Sequence, residues 1–359
     1  MVCAKAILLI RLRTKPTMKM QASRPGNRGS KCGKPVGGRR ILVTGGAGFI
    51  GSHLVDALLA SNNEVVVYDN LDRFYPNKWL NLQHNIGNPS FRFVEASVLD
   101  FETLLKCMEG IDVVFHLAAQ PGVEFSMQNP FSTMQTNVLG TLNVLLAASK
   151  VSVKRIVFAS SSSVYGNPKY LPEDENHPTN PLSIYGASKL ACEKFCKIFN
   201  DRWNIPVVML RYFSVYGPRQ RPDMAISKWT KAIFDGNPLE ICGDGTQTRD
   251  FTYVDDVIDA TIKATEIKGI GGEVFNIASG SSTSVHDVVK ELNDITDKDA
   301  QIVYEPPRAA DVQDTHADTT KAKRMLGFSS KMHLKEGLRL FVKWYSHSDQ
   351  SKKSRMPRV

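Results

Sequence analysis

The stretch from Ile41 to Ala60, ILVTGGAGFIGSHLVDALLA, restricts the fold of this chain more than any other. Ile41 to Thr44 predicts a short strand that runs into a turn with glycines at 45, 48 and 51 and then into an apolar helix. Gly45 permits the tight turn, Gly48 lets backbone approach a pyrophosphate, and Gly51 lets the helix pack close to the strand. The helix N-terminus adds free N–H groups and the positive end of its dipole. Such a glycine triplet alone is a weak signal. It gains weight from a second strand, Glu64 to Tyr68, that ends in Asp69, 18 residues past Gly51. A carboxylate there accepts both hydroxyls of an adenosine ribose and leaves no room for a 2′-phosphate, so the expected dinucleotide is NAD rather than NADP.

Further apolar runs at Phe91 to Glu95, Asp112 to His116, Val153 to Ala159 and Val207 to Tyr212 predict parallel strands. The second of these leads into Leu117, Ala118, Ala119 and Gln120, where the small side chains let backbone approach a cofactor. An amphipathic helix is expected over about Phe131 to Ser149, with Asn137 pointing at the strand ends. Beyond Tyr212, helices are expected at about Met224 to Phe234 and from Val254. Strands and helices then alternate through Glu273 to Ile277, Val285 to Ile295, Gln301 to Tyr304 and Leu334 to Tyr345. The fold class is α/β, a doubly wound (Rossmann) parallel sheet with a smaller C-terminal α/β substrate domain. Residues 40–212 would bind the dinucleotide and 213–345 mainly the substrate, between a basic extension at 1–39 and a basic tail at 346–359.

Ser160 to Lys189, SSSSVYGNPKYLPEDENHPTNPLSIYGASK, is the stretch for chemistry. Its serines emerge at the carboxyl end of the Val153 to Ala159 strand, where open α/β sheets bind ligands. Tyr185 and Lys189 open a helical pattern four residues apart, so both project from one face. A fixed ammonium beside a phenol favours the phenolate, which lets Tyr185 act as a base toward a hydroxyl, with a serine relaying or orienting the proton. Most Tyr-x-x-x-Lys patterns are accidents of helix packing. The serine cluster and the dinucleotide fingerprint raise this one above that background.

The net charge of +9 suggests an anionic partner until its location is considered. Residues 1 to 40 hold 11 Lys and Arg and no acidic residue, leaving 34 basic and 36 acidic side chains for the rest. Nucleic-acid binding by the body is therefore not expected. Residues 1 to about 38 lack hydrophobic periodicity and read as a disordered tail or an overextended start, with Met18 or Met20 as the real first residue. Ala6 to Ile10 is too short, and too closely followed by Arg11 and Arg13, to read as a secretory signal. No apolar run reaches transmembrane length, so no membrane partner is expected. The six cysteines show no metal-type pairing; Cys192 and Cys196 read as buried free thiols, which implies a reducing, cytoplasmic setting.

TGGAGFIGSH, YDN, HLAAQ, SSSSVYG, YGASK and GDGTQTRDFTYVDD, in that order, resemble the extended short-chain dehydrogenase/reductase family, specifically its nucleotide-sugar epimerases, over residues 40 to 345. The resemblance implies NAD contacts at Gly45, Gly48, Phe49, Ile50, Gly51, Asp69, Asn70, Leu117, Ala118, Asn137 and Phe213, with Ala119 and Gln120 in the same loop. It implies Tyr185 as base, Lys189 as its activator and Ser161 as the catalytic serine. Arg249 and Arg308 match arginines that grip the nucleotide diphosphate, a role suited to their bidentate geometry; Arg221 and Asp311 lie in the matching substrate segments. Where the family has Asp and an aliphatic residue against adenine, this chain has Ser97 and Val98, and Ala310 replaces a glycine before Asp311.

The resemblance also implies oxidation of the sugar at C4 by bound NAD. Dehydratases and decarboxylases of the family carry an acidic residue where this chain has Ser163, so 4-epimerisation is the expected reaction. SVYGPRQRPDMA, with Ser214, and DTHAD, with small Thr315, are most similar to UDP-glucuronate 4-epimerases. Ser162, Ser163 and Ser214 would then hold the substrate carboxylate. UDP-glucose and UDP-N-acetylglucosamine are alternatives, and a non-catalytic NAD-binding protein is a third, disfavoured by the retained Tyr185 and Lys189. A homodimer formed through the Phe131 to Ser149 and Tyr185 to Phe199 helices is implied as well.

Overall fold

The computed structural model describes residues 37–308 and 310–348, and the expectations for the N-terminal extension, Cys3 and Cys32 lie outside these residues, as does most of the C-terminal tail. In chain order the first elements are strand β1 (Arg40–Thr44), helix α1 (Phe49–Ala60), β2 (Glu64–Asp69), β3 (Phe91–Glu95), α2 (Phe101–Met108), β4 (Val113–His116), α3 (Val123–Gln128), α4 (Pro130–Met134), α5 (Gly140–Val151), β5 (Arg155–Ser161), α6 (Ile184–Trp203) and β6 (Val207–Tyr212). They are followed by β7 (Ser214–Tyr216), α7 (Ala225–Asp235), β8 (Leu239–Cys242), β9 (Thr248–Tyr253), α8 (Val254–Glu266), β10 (Val274–Ile277), β11 (Ser282–Ser284), α9 (Val285–Thr296), β12 (Ile302–Glu305), α10 (Thr320–Leu326) and α11 (Leu334–His347).

Seven strands form one parallel sheet in the order β10-β6-β5-β4-β1-β2-β3. Both faces of this sheet are covered, which is why its strands read as unbroken apolar runs. Ile41, Val43, Val65, Val67, Phe115 and Val157 pack on one side, with Leu54, Val55 and Leu58 of α1. Leu42, Val66, Val114, Ile156 and Phe158 pack on the other, with α2, α5 and α6. Burying one such side chain is worth about 1.5–3 kcal/mol, and the two layers fix the strand register by direction of side chain.

Strand order reverses between β1 and β4, so a crevice opens where the chain leaves their carboxyl ends in opposite directions. β10 joins this sheet from beyond residue 213, while β11, β9 and β7 form a three-stranded sheet and β12 and β8 a two-stranded one. The helix expected over Phe131 to Ser149 is not continuous: α4 passes into a π-helical turn, Gln135–Leu139, before α5 begins. Asn137 sits inside that turn, buried and bonded outside its own helix, a displacement from regular i→i+4 bonding of the kind that often marks functional sites. No described helix is long and apolar enough to cross a membrane.

Candidate active site

Three cavities bear on function: two adjoin the carboxyl end of β5, and another lies among β8, β9 and β12. The first is lined by Gly45, Gly48, Phe49, Ile50, Gly51, Asp69, Asn70, Ser97, Val98, Leu117, Ala118, Ala119 and Gln120, as the sequence predicts, and also by Tyr185 and Lys189. Its glycines are dictated by space. Gly45 has φ +72°, and a Cβ there would lie 2.6 Å from the Ala118 nitrogen. A Cβ on Gly51 would strike the Gly45 carbonyl oxygen, so only glycine lets α1 sit this close to the turn. Gly48 caps α1 without a side-chain bond, which leaves the helix N-terminus open to an anion.

Asp69 is buried and held in place before any ribose arrives. One carboxylate oxygen accepts the Ala47 N–H at 3.1 Å; the other accepts the Leu71 N–H at 2.9 Å and the Lys78 ammonium at 2.8 Å. Lys78 also lines the cleft and was not foreseen, because it opens a 3-10 helix, Lys78–Asn85, with no motif around it. The donor set fits NAD: an uncapped helix end, a fixed carboxylate, and the buried Gln120 Nε2, for which no acceptor exists among the described residues. Asn137 does not line the cleft itself. Its Oδ1 accepts the Gln120 N–H at 2.7 Å and its Nδ2 donates to Gln120 O and Ser188 Oγ, so it fixes the loop that does. Phe213 is buried among Val164, Tyr165, Ala278 and Ala317, and the neighbouring Tyr212 takes the place in the cleft wall. Arg221 stands in this cofactor cleft, paired with Asp223 through two bonds of 2.9 Å and stacked over Phe74.

α6 brings Tyr185 and Lys189 into the cleft together. Ser183 caps its N-terminus by accepting the Gly186 N–H, and the Tyr185 N–H is taken by Ser126 Oγ at 3.0 Å. The Lys189 ammonium donates to the Ala159 carbonyl at 2.7 Å and lies 5.9 Å from the Tyr185 ring centre. Ser161 ends β5 between two cavities: Ser160 lines the first and Ser162 the third. Its Oγ accepts the Ser163 N–H and donates to Ser163 Oγ, each at 3.1 Å. His116, under Lys189, is buried between Thr44 Oγ1 and Thr141 Oγ1; burial and the Lys189 charge push its pKa down to about 3, so it stays neutral.

The third cavity is lined by Ser162, Ser163, Ser214 and Thr315, with Arg249 and Asp311 at its far side. No hydrogen-bond partner among the described residues takes the hydroxyls of Ser162 or Ser214. Arg249 and Asp311 are shared with the second cavity, which also holds Arg308, Tyr304 and Gln313. Arg249 donates to Thr248 O and Gln313 O; burial pushes its pKa down, while Asp311 and Asp314 oppose that. Arg308 reaches across to Glu124 of α3, Nη1 to Oε2, at 3.0 Å.

A dinucleotide cleft with a tyrosine–lysine pair thus adjoins a serine-lined cavity at the end of β5, which shares Arg249 and Asp311 with an arginine-bearing pocket. Residues 41–278 match the model of the NAD dependent epimerase/dehydratase family. The chain belongs to that family. Its solved relatives include the UDP-glucuronic acid 4-epimerase of Bacillus cereus, solved with UDP-glucuronic acid and NAD, which is 40% identical with a TM-score of 0.82 over 85% of this chain and 98% of that one. The UDP-glucose 4-epimerase of Thermotoga maritima is 39% identical, with a TM-score of 0.80 over 85% and 98%. The UDP-N-acetylglucosamine 4-epimerase of Methanobrevibacter ruminantium is 34% identical, with a TM-score of 0.81 over 86% and 99%. Within the NAD-dependent epimerase/dehydratase family, the chain falls in the UDP-sugar 4-epimerase class, with NAD as cofactor.

Proposed function

We propose that this protein interconverts UDP-glucuronate and UDP-galacturonate. The observation that carries the choice of sugar is the set of hydroxyls in the third cavity. Ser162, Ser163, Ser214 and Thr315 surround the space next to Ser161, and two of those hydroxyls are uncommitted. Hydroxyl donors suit a carboxylate that must be held without becoming a leaving group. A 4-keto uronate is prone to lose carbon dioxide, and fixed hydrogen bonds would keep its carboxylate in an unproductive orientation. Arg249 and Arg308 would take the diphosphate and the second cavity the uridine.

NAD, when bound in the first cavity, would supply a reversible acceptor for the C4 hydride. The chain's own residues prepare that exchange. Tyr185 removes the proton from the 4-hydroxyl and gives it back, Lys189 supplies the adjacent positive charge, and Ser161 orients the hydroxyl. Ser163 in place of an acidic residue leaves no base for dehydration. Purified protein incubated separately with UDP-glucuronate, UDP-glucose and UDP-N-acetylglucosamine, without reductant, tests the assignment. UDP-galacturonate is the expected product. Turnover of the neutral sugars alone, or formation of UDP-xylose, would contradict it.

A further inference from the structure

Tyr185, Lys189 and Glu193 follow one another at four-residue steps along α6, so the face that carries the base and its cation continues into a carboxylate. Glu193 is buried and fully engaged. Its Oε1 accepts the Ser160 hydroxyl at 2.5 Å and Arg211 Nε at 2.9 Å, and its Oε2 accepts Arg211 Nη2 at 2.7 Å. Ser160 and Arg211 are direct neighbours across β5 and β6, and Arg211 is in turn paired in register with Asn276 of β10. Three adjacent strands therefore present one polar layer beneath the site, in a sheet otherwise packed with apolar side chains.

Two successive residues of β5 are tied to this helix face. Lys189 grips the Ala159 carbonyl and Glu193 grips the Ser160 hydroxyl; the next residue is Ser161. We propose that Ser160, Glu193 and Arg211 are positioning residues that set the distance between Ser161 and Tyr185. Arg211 anchors the layer sideways as well. Its guanidinium lies 4.6 Å from the Tyr165 ring centre, and the Tyr165 hydroxyl donates to Asn276 Oδ1. Asn276 Nδ2 donates to the carbonyl of Glu173, whose backbone pairs with His316 and Asp318, on either side of Ala317 and next to Thr315 of the sugar cavity. The clamp on the serine strand and the wall of the sugar pocket thus share one network. Burial would lower the Arg211 pKa, but its bonds to the Glu193 carboxylate more than offset that, so the guanidinium stays charged.

The proposal rests on the reading of Tyr185 and Ser161 as catalytic, and the experiment separates the two. Ser160→Ala removes one hydroxyl and leaves the Glu193–Arg211 ion pair intact. Steady-state epimerisation is measured with whichever of the three UDP-sugars the intact protein turns over, alongside bound NAD and Tm. Misplacement of a reacting group by about 1 Å can cost roughly 100-fold. The Ser160→Ala variant is expected to lose about 10- to 100-fold in kcat, with KM, NAD content and Tm little changed, and Ser160→Thr is expected to recover most of the loss. Arg211→Met is expected to show a larger fall in kcat together with a lower Tm, because it leaves the buried Glu193 carboxylate without its ion-pair partner. A wild-type kcat in Ser160→Ala, or a change confined to KM, would overturn the positioning role while Tyr185→Phe remains inactive. Activity surviving in Tyr185→Phe would overturn the catalytic assignment itself, and the positioning role with it.

Discussion

Burial moves the pKa values of His116, His53 and Glu173 far from those the groups have in water. His116 has its pKa pushed down to about 3 by burial and by Lys189, and His53 to about 4 by burial and by Arg219. Both sit near 6.5 once unfolded, so unfolding takes up protons as pH falls below 6.5 until the folded values are reached. Glu173 runs the other way: burial raises its pKa to about 7 from 4.5, and unfolding releases its proton between those values. Glu175, Asp250 and Asp255, whose pKa values burial also raises, act with Glu173 and against the histidines. The histidine contribution to stability should fall on acidification from about pH 6.5 to 4.5, by roughly 1.4 kcal/mol per pH unit for each proton. Urea unfolding between these pH values should show a midpoint that falls more on acidification in the wild type than in His116→Asn. Equal pH dependence in the two proteins would contradict a neutral His116. At this scale the motif residues were legible because each is demanded by space or by chemistry, as at Gly45 and Lys189. Lys78 and Arg211 were not, because their roles come from partners distant in sequence or across a strand pair.

The β1–turn–α1 unit depends on Gly51 more than on any other residue in it, because an added methyl would meet backbone rather than a side chain that can move. Gly51→Ala should leave the far half of the sheet folded but displace α1 from the turn. Equilibrium dialysis should show NAD binding weakened by at least about 100-fold, in line with a misplacement of about 1 Å. Wild-type affinity would mean that the turn adjusts at little cost. β6 and α9 were foreseen within a residue, and α6 and α8 at their starts, because these elements have apolar periodicity of their own, although α6 runs on to Trp203, past the expected Phe199. The short strands β7, β8, β9 and β11 were not. Ser282–Ser284 is a half-exposed run of hydroxyl residues, paired only because Thr248–Asp250 lies opposite, and nothing local announces that. The break at Gln135–Leu139 was hidden for the opposite reason: its apolar spacing continues across the π-turn, and only the bond from Asn137 to Gln120 shows why the helix is wound differently there.

Among the described residues, several exposed apolar side chains gather on one group of helices. Phe131 is 86% exposed, and Met127, Met134, Leu139, Leu146 and Ile198 are exposed along the same group of helices, α3 to α6. We propose that this surface is covered by a second copy of the chain, through α4, α5 and α6. Light scattering should give twice the chain mass, and Phe131→Glu should shift it toward a monomer; a wild-type monomer would contradict the dimer. The central claim is that epimerisation proceeds by reversible removal of the C4 hydrogen as hydride inside the cleft, without exchange with solvent. The most direct measurement supplies the UDP-sugar deuterated at C4 and reads the label in the epimer by mass spectrometry and NMR. The account predicts deuterium retained at C4 of the product, with no incorporation of solvent hydrogen at that carbon. Loss of the label during epimerisation would contradict it.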